Sequence, residues 1–236
     1  MKSEMKISLQ EVLEAPEPKR KKEFLRNIEK PQLSTYSFML QQVSYIRKRV
    51  WILSAMISAL AIFCAGYVGE EAIWIISSMM PFIALCAITE STRSATYGMA
   101  ELEMASRFSL KSIVLARLGT IGILHLAVFC IVVPFVGNSA LVPFAHTGLY
   151  LLVPYLLSSV LGLWAVRRFQ EIDATYLCMM TSSIVCVLNI ALKTMIEGYY
   201  RERKLIWWVI AGIYLMYKTW NEYKKTISKT EELVWN

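Results

Sequence analysis

Residues 118–166 read LGTIGILHLAVFCIVVPFVGNSALVPFAHTGLYLLVPYLLSSVLGLWAV, and this stretch decides the fold class of the chain. Its 49 residues include no Asp, Glu, Lys or Arg. The stretch is too long for one buried helix of a soluble protein, and a small domain does not bury enough surface to hide it. The chain is therefore expected to be an all-α integral membrane protein.

The composition of the whole chain agrees with this class. Of its 236 residues, 56% are hydrophobic and only 18% are charged, whereas soluble domains have about 25% charged residues. The formal net charge is +7. The basic residues flank the apolar runs rather than lining one soluble face, so they indicate membrane orientation. Binding to nucleic acid is not expected.

The apolar runs predict six transmembrane helices. The last of them has 16 residues and would be about 24 Å long as a helix, which is short for a hydrocarbon core of about 30 Å. Trp and Tyr at both of its ends are typical of a short span that reaches both interfaces. The predicted spans are Val50–Val68, Ala72–Thr89, Leu118–Val136, Thr147–Val166, Ala174–Leu192 and Leu205–Trp220.

The distribution of Lys and Arg predicts the orientation. With six spans and a cytoplasmic N-terminus, 21 of the 25 basic residues face the cytoplasm. The four exceptions lie in the predicted outer loop 193–204. If the last segment did not cross, the four lysines of the tail would also lie outside. We therefore predict a multi-pass protein of the plasma membrane with both termini in the cytoplasm.

Three regions follow from this topology. Residues 1–49 are predicted to be a basic cytoplasmic region, 50–220 the six-span domain and 221–236 a cytoplasmic tail. Ser34–Arg49 has apolar residues at helical spacing and ends in three basic residues, which predicts an amphipathic helix on the inner leaflet. The alternative is a simple basic anchor for the first span.

The connection between the second and third spans is longer than a tether requires. Glu90–Arg117 has 28 residues with one Gly and no Pro, and Met99–Phe108 is predicted to form a short cytoplasmic helix. Such a helix either docks in a groove of a soluble partner or lies on the lipid surface. Its charged side is formed by Glu101, Glu103 and Arg107, and its apolar side by Leu102 and Phe108.

The run ELEMASRFSLKSIVLAR, Glu101–Arg117, resembles the coupling region of ABC-2-type transporter permeases. The predicted span count, the cytoplasmic N-terminus and the amphipathic helix before the first span are also similar to that family. The resemblance implies that Met99–Phe108 contacts a separate ABC ATPase subunit and that two permease copies, identical or different, line an export path. ATP and Mg²⁺ would then bind to the partner subunit.

Motifs for chemistry within this chain are not found. None of the ten glycines belongs to a GxxxxGK[ST] motif, so the chain is not expected to bind ATP or to be an enzyme. The five cysteines lie in apolar runs, without a CxxC pair or a neighbouring His at metal-ligand spacing. No metal site is expected.

Two polar residues within the predicted spans are candidates for a substrate path. His125 lies in the third span and Asn189 near the outer end of the fifth. Polar residues at such depth are often functional, but a single His can also be structural and an Asn can join helices. The shortage of carboxylates within the spans argues against a secondary transporter driven by protons or sodium.

The function predicted from these features is that of the membrane subunit of an ABC-2-type exporter. Its substrate would be amphiphilic, such as a lipid, a peptide or a drug. The alternative is a membrane regulator or sensor without transport activity, which binds a cytoplasmic partner through its basic N-terminal region.

Overall fold

A computed structural model describes residues 43–44, 46–91, 110–169, 173–196, 198–200 and 204–232. Every regular element in these ranges is helical, which confirms the all-α class. Gly69–Glu71 is a turn of 3₁₀ helix between the first two helices. The helices are α1 Lys48–Val68, α2 Ala72–Ser91, α3 Leu110–Ser139, α4 Phe144–Arg168, α5 Ala174–Met195 and α6 Leu205–Glu232.

Each predicted apolar segment is found as a helix. Two helices are clearly longer than predicted, because α3 begins at Leu110 and α6 ends at Glu232. Within the described ranges, α1 to α5 are long and apolar enough to cross a membrane. Helix α6 falls outside this group, since aromatic and charged side chains are frequent after Gly212.

Helix α2 lies at the centre of the bundle. It contacts α1, α3, α4 and α5, and 72% of its most apolar window is buried. The corresponding share is 28% in α1, α3 and α5, whose outer faces expose large apolar side chains. Apolar side chains on such outer faces are suited to contact with lipid.

The contacts define the direction of each helix and the two ends of the bundle. Helices α2, α4 and α6 run in one direction. Helix α5 runs antiparallel to them, because its later residues contact the beginning of α2. We call one end the charged end, with Arg47, Glu90, Arg117, Arg167 and Glu222. The other is the aromatic end, with Tyr150, Tyr199, Tyr200 and Trp208.

The main core lies toward the aromatic end, where α1 to α4 and α6 converge. Small alanines on α1 allow α2 to approach closely, and branched side chains of α2 and α3 fill the remaining space. Its largest fully buried side chain is Tyr150 of α4, which contacts the buried Trp208 at 5.1 Å between ring centroids. The buried members on α1 and α2 are Ile57, Ala61, Ala65, Ala72, Ile73, Ile76, Met80 and Ile83.

Among the described residues before α1, Ile46 packs against protein. The backbone of Arg47 is extended, so α1 begins anew at Lys48. Ile46, which belongs to the predicted interfacial helix Ser34–Arg49, is buried in a cluster with Val50, Cys86 and Ile121. The rest of the predicted interfacial helix, through residue 42, lies outside the described residues.

Candidate functional site

Two prolines organise the polar contacts between α2 and α4. Because Pro154 has no N–H, the carbonyl of Tyr150 one turn earlier loses its helical donor. The hydroxyl of Ser77 on α2 donates to this carbonyl at 2.8 Å. The carbonyl of Pro81 in turn accepts hydrogen bonds from Ser158 at 3.3 Å and from Ser182 at 3.1 Å. The Ser77 hydroxyl thus replaces the donor that Pro154 removes, which is how membrane helices tolerate proline.

Asn189 of α5 extends this polar contact toward the aromatic end. Its amide donates to the hydroxyls of Ser77 at 3.1 Å and Ser78 at 3.3 Å. Its carbonyl accepts a hydrogen bond from the Tyr200 hydroxyl at 3.1 Å. Asn189 therefore makes the contact between helices that its sequence position indicated, and it also connects α5 to the residues before α6.

His125 is held at a different place. It is only 2% exposed, and its Nδ1 lies 3.0 Å from the hydroxyl of Tyr155 on α4. Its Nε2 has no hydrogen-bond partner among the described residues. His125 and Asn189 share no hydrogen-bond partner, so the structure does not join the two candidates for a substrate path into one site.

A cavity of about 480 Å³ opens at the aromatic end. This volume is in the range of small-molecule sites. One wall is the α3–α4 connection, where Leu141 has a positive φ of 55°. The other walls are aromatic: the lining includes Trp74, Tyr150, Tyr199 and Tyr200.

Tyr200 connects the cavity to the interior of the bundle. Its ring lines the cavity, while its hydroxyl donates to Asn189. Burial raises the pKa of Tyr200 to about 12, and the hydrogen bonds with Ser77 and Asn189 act in the opposite direction. The hydroxyl therefore stays protonated and remains a donor at neutral pH.

An ion pair forms the charged part of the cavity lining. The Lys193 ammonium lies 3.0 Å from Oε2 of Glu71 and 4.6 Å from the centroid of the Trp74 ring. The indole N–H of Trp74 also donates to Glu71. The hydrogen bond from Lys193 contributes most to holding the pKa of Glu71 below its usual range, and the hydrogen bond from Trp74 contributes next. This carboxylate is therefore ionised at neutral pH.

Sequence reasoning did not identify this arrangement. Glu71 lies in the short connection between the first two predicted spans, and Lys193 is one of the four basic residues that the orientation rule places outside. Two spacings in the sequence indicate local contacts: Glu71 and Trp74 lie one helical turn apart, and Lys193 lies one turn beyond Asn189. Neither spacing shows that the turn with Glu71 and the turn with Lys193 contact each other.

The charged end contains buried ion pairs. Glu90, near the end of α2, is 2% exposed and lies 3.7 Å from Nε of Arg47. Glu222 of α6 lies 2.6 Å from Nη2 of Arg167 on α4. Arg117 of α3 is also buried. These charged residues connect the helices at the charged end of the bundle. The last residues of α2 and the first residues of α3, which segment 92–109 links, lie at the same end.

The predicted coupling residues lie outside the described residues, so the structure does not describe the contacts of Glu101, Leu102, Glu103, Arg107 and Phe108. In the described parts of the chain, no group of three or more His, Cys, Asp or Glu side chains is placed to hold a metal ion. The five cysteines are free thiols.

Comparisons with protein families, with curated proteins and with solved structures found no match to this chain.

Proposed function

We propose that the chain is the permease subunit of an ABC-2-type exporter, which uses ATP hydrolysed by a separate ATPase subunit. The observation that supports this most is the position of α2. Segment 92–109 follows α2 directly after the buried Glu90, and α2 contacts four of the other helices. A movement of this segment, driven by a partner, would therefore reach most of the bundle.

The proposed topology has six spans. Helix α6 lies beside α4 over most of its length, because Trp208 contacts Tyr150 near the aromatic end and Glu222 pairs with Arg167 at the charged end. These contacts support a sixth crossing, although α6 is less apolar than the other five helices. The aromatic belt of α6 fits the same arrangement, as does the direction of α5, which precedes α6 in the chain and runs antiparallel to it.

The charged end is proposed to face the cytoplasm of a plasma-membrane protein. The described basic residues are concentrated there, as the positive-inside rule requires. Segment 92–109 would then meet the ATPase with Glu101, Leu102, Glu103, Arg107 and Phe108, while ATP and Mg²⁺ stay on that subunit. The described basic residues near this end are Arg47, Lys48, Arg49, Arg117, Arg167, Arg168, Lys218, Lys224 and Lys225.

The outer faces of the bundle have two proposed partners. Large apolar side chains are exposed on α1, α3 and α5, where membrane lipid and a second permease copy would contact them. The cargo is proposed to be an amphiphilic molecule. His125 contacts Tyr155 of α4, and Asn189 contacts Ser77 and Ser78 of α2. We assign both residues to the path only as residues that adjoin it.

The test is copurification and ATPase stimulation. A tagged chain is expected to bring down a P-loop ATPase, which is identified by mass spectrometry and reconstituted with the chain in liposomes. Phe108→Ala should weaken the interface by about 2 kcal/mol, as at other anchor residues. Glu103→Lys should add repulsion at the same surface. Both variants should insert normally but lose stimulated ATPase activity.

A charge change elsewhere at the same end provides the control. Lys224 is exposed on α6, and Lys224→Glu should keep both the complex and its activity. If segment 92–109 only rests on lipid, Glu103→Lys should strengthen its attachment to an anionic leaflet by about 1 kcal/mol, with unchanged activity. Full recovery of the complex with Phe108→Ala and Glu103→Lys combined would contradict the proposal, as would a partner without a P-loop.

A further inference from the structure

The ammonium of Lys193 occupies a site that is suited to organic cations in general. It contacts the Glu71 carboxylate at 3.0 Å and the Trp74 ring at 4.6 Å from the centroid. A carboxylate beside an aromatic face is the combination that attracts ammonium groups through charge and through the ring quadrupole. Here the protein fills this position with its own side chain.

The cavity beside this position has room for the rest of a ligand. Its volume is about 480 Å³, and Tyr150, Tyr199 and Tyr200 line it together with the 140–143 connection. Glu71 and Lys193 are the charged residues among the described lining. The remaining lining is mostly apolar or aromatic, so it suits an apolar body attached to a charged head.

We propose that this cavity binds a small organic cation with an apolar body, whose ammonium group displaces that of Lys193 from Glu71 and Trp74. The inference rests on the proposed function only in assigning this ligand as the cargo. The side chain of Lys193 is 34% exposed, so its ammonium can move to water on a flexible stem while the ligand takes its place.

The surroundings favour a cation over an anion. An anionic head would have to draw Lys193 away from Glu71 and leave that carboxylate close to a second negative charge. It would also lie over the negative face of the Trp74 ring, where Lys193 now lies 4.6 Å from the centroid. A cationic head meets neither obstacle, since it replaces one ammonium with another.

Binding is measured by calorimetry on the full chain in phosphatidylcholine nanodiscs, without any ATPase. Benzyltrimethylammonium is the cationic probe and benzenesulfonate the anionic one. Lys193→Met should tighten binding of the cation by about fivefold, because the internal competitor is gone. Glu71→Gln should weaken it by about threefold, because the attraction between the quaternary ammonium and the carboxylate, whose side chain is 62% exposed, is lost.

Two further variants make the result specific. Glu70→Gln removes the same charge from the adjacent position and should change the affinity by less than about twofold. If net charge alone attracted the cation, Glu70→Gln and Glu71→Gln would weaken its binding equally. Trp74→Phe keeps an aromatic ring but removes the indole, and should weaken binding by about threefold. Trp74→Phe serves in place of Glu71→Gln if that variant does not fold.

The opposite pattern would overturn the inference. The inference is wrong if the wild-type chain, Glu71→Gln and Trp74→Phe all bind the cation equally. Tighter binding of benzenesulfonate, lost in Lys193→Met, would overturn it as well. The binding assay contains no ATPase, so the two proposals fail separately. If the cation does not bind but the chain exports with its ATPase, only this site is rejected. If the cation binds normally but no partner ATPase is found, only the proposed export function is rejected.

Discussion

The hydroxyl of Ser77 on α2 donates to the backbone carbonyl of Tyr150 on α4 at 2.8 Å. Pro154 removes the N–H that would otherwise serve this carbonyl within α4. A side chain of one helix therefore compensates for a proline in another. The two helices are joined at this point by a bond that neither could form alone.

Replacing Ser77 should destabilise the bundle more while Pro154 is present than after Pro154 is replaced. Ser77→Ala is expected to lower the free energy of unfolding by about 1–2 kcal/mol, since it leaves a buried carbonyl without this donor. In a Pro154→Ala background, the restored N–H should serve Tyr150, and Ser77→Ala should cost less. Unfolding in sodium dodecyl sulfate, compared among the four proteins, measures the difference.

Ser78→Ala is the matched control for this cycle. Its hydroxyl also accepts from Asn189, but it donates to Trp74 within its own helix. The cost of Ser78→Ala should be the same with Pro154 and with Ala at position 154. An equal cost of Ser77→Ala in both backgrounds would show that Ser77 does not compensate for the proline.

The approach of α2 to α4 depends on a missing side chain at Gly162. A Cβ there would lie 2.5 Å from Cδ1 of Ile88, which is itself buried. Gly162→Ala should therefore destabilise the protein by about 1–3 kcal/mol, as overpacking does. Adding Ile88→Val removes the clashing methyl group and should recover most of this loss, measured by the same unfolding assay.

Gly148, on the same helix, provides the comparison. Its nearest contact for an added Cβ is Val133 at 3.9 Å, which is an ordinary distance. Gly148→Ala should be neutral or stabilising by up to about 1 kcal/mol through helix propensity. If Gly162→Ala behaves like Gly148→Ala, the helices are not in the close contact described.

The ion pair of Arg167 and Glu222 should stabilise the contact between α4 and α6. Both side chains are largely buried, with 22% and 9% exposed. Arg167→Met should cost on the order of 2 kcal/mol, because it leaves a buried carboxylate with a weaker partner, Lys225. The double variant Arg167→Met with Glu222→Leu should cost less than the sum of the single changes.

The exposed neighbour Arg168 serves as the reference position. Arg168→Met is expected to stay within about 0.5 kcal/mol of wild type. Additive effects of the Arg167 and Glu222 changes would mean that the two charges do not interact, and the parallel position of α6 beside α4 would lose one of its two supports.

Labelling of single cysteines distinguishes six crossings from five. In a chain with the five native cysteines replaced, Ser139→Cys should react with an impermeant maleimide on intact cells. Lys225→Cys should react only after permeabilisation, because six spans return α6 to the cytoplasm. Reaction of Lys225→Cys on intact cells would show that α6 does not cross.

The amino-acid sequence by itself determined the class and the helices. A run of 49 residues without Asp, Glu, Lys or Arg is stable in a membrane, where no water is present to satisfy the polar groups of the backbone. A helix satisfies these groups within one segment, and each continuous apolar run is of the length that a helical span needs. The same reasoning identified His125 and Asn189, because a polar side chain is conspicuous in an apolar helix. Both properties are local and are readable along one segment.

The tertiary structure alone decided which groups meet. Glu71 and Lys193 are 122 positions apart, and no periodicity relates them. Their contact depends on the rotation and depth of α5 against α2, which packing and the hydrogen bonds of Ser182 and Asn189 with α2 determine. Contacts between helices are cooperative properties of the whole bundle, so the cavity and its ion pair follow only from the packed structure.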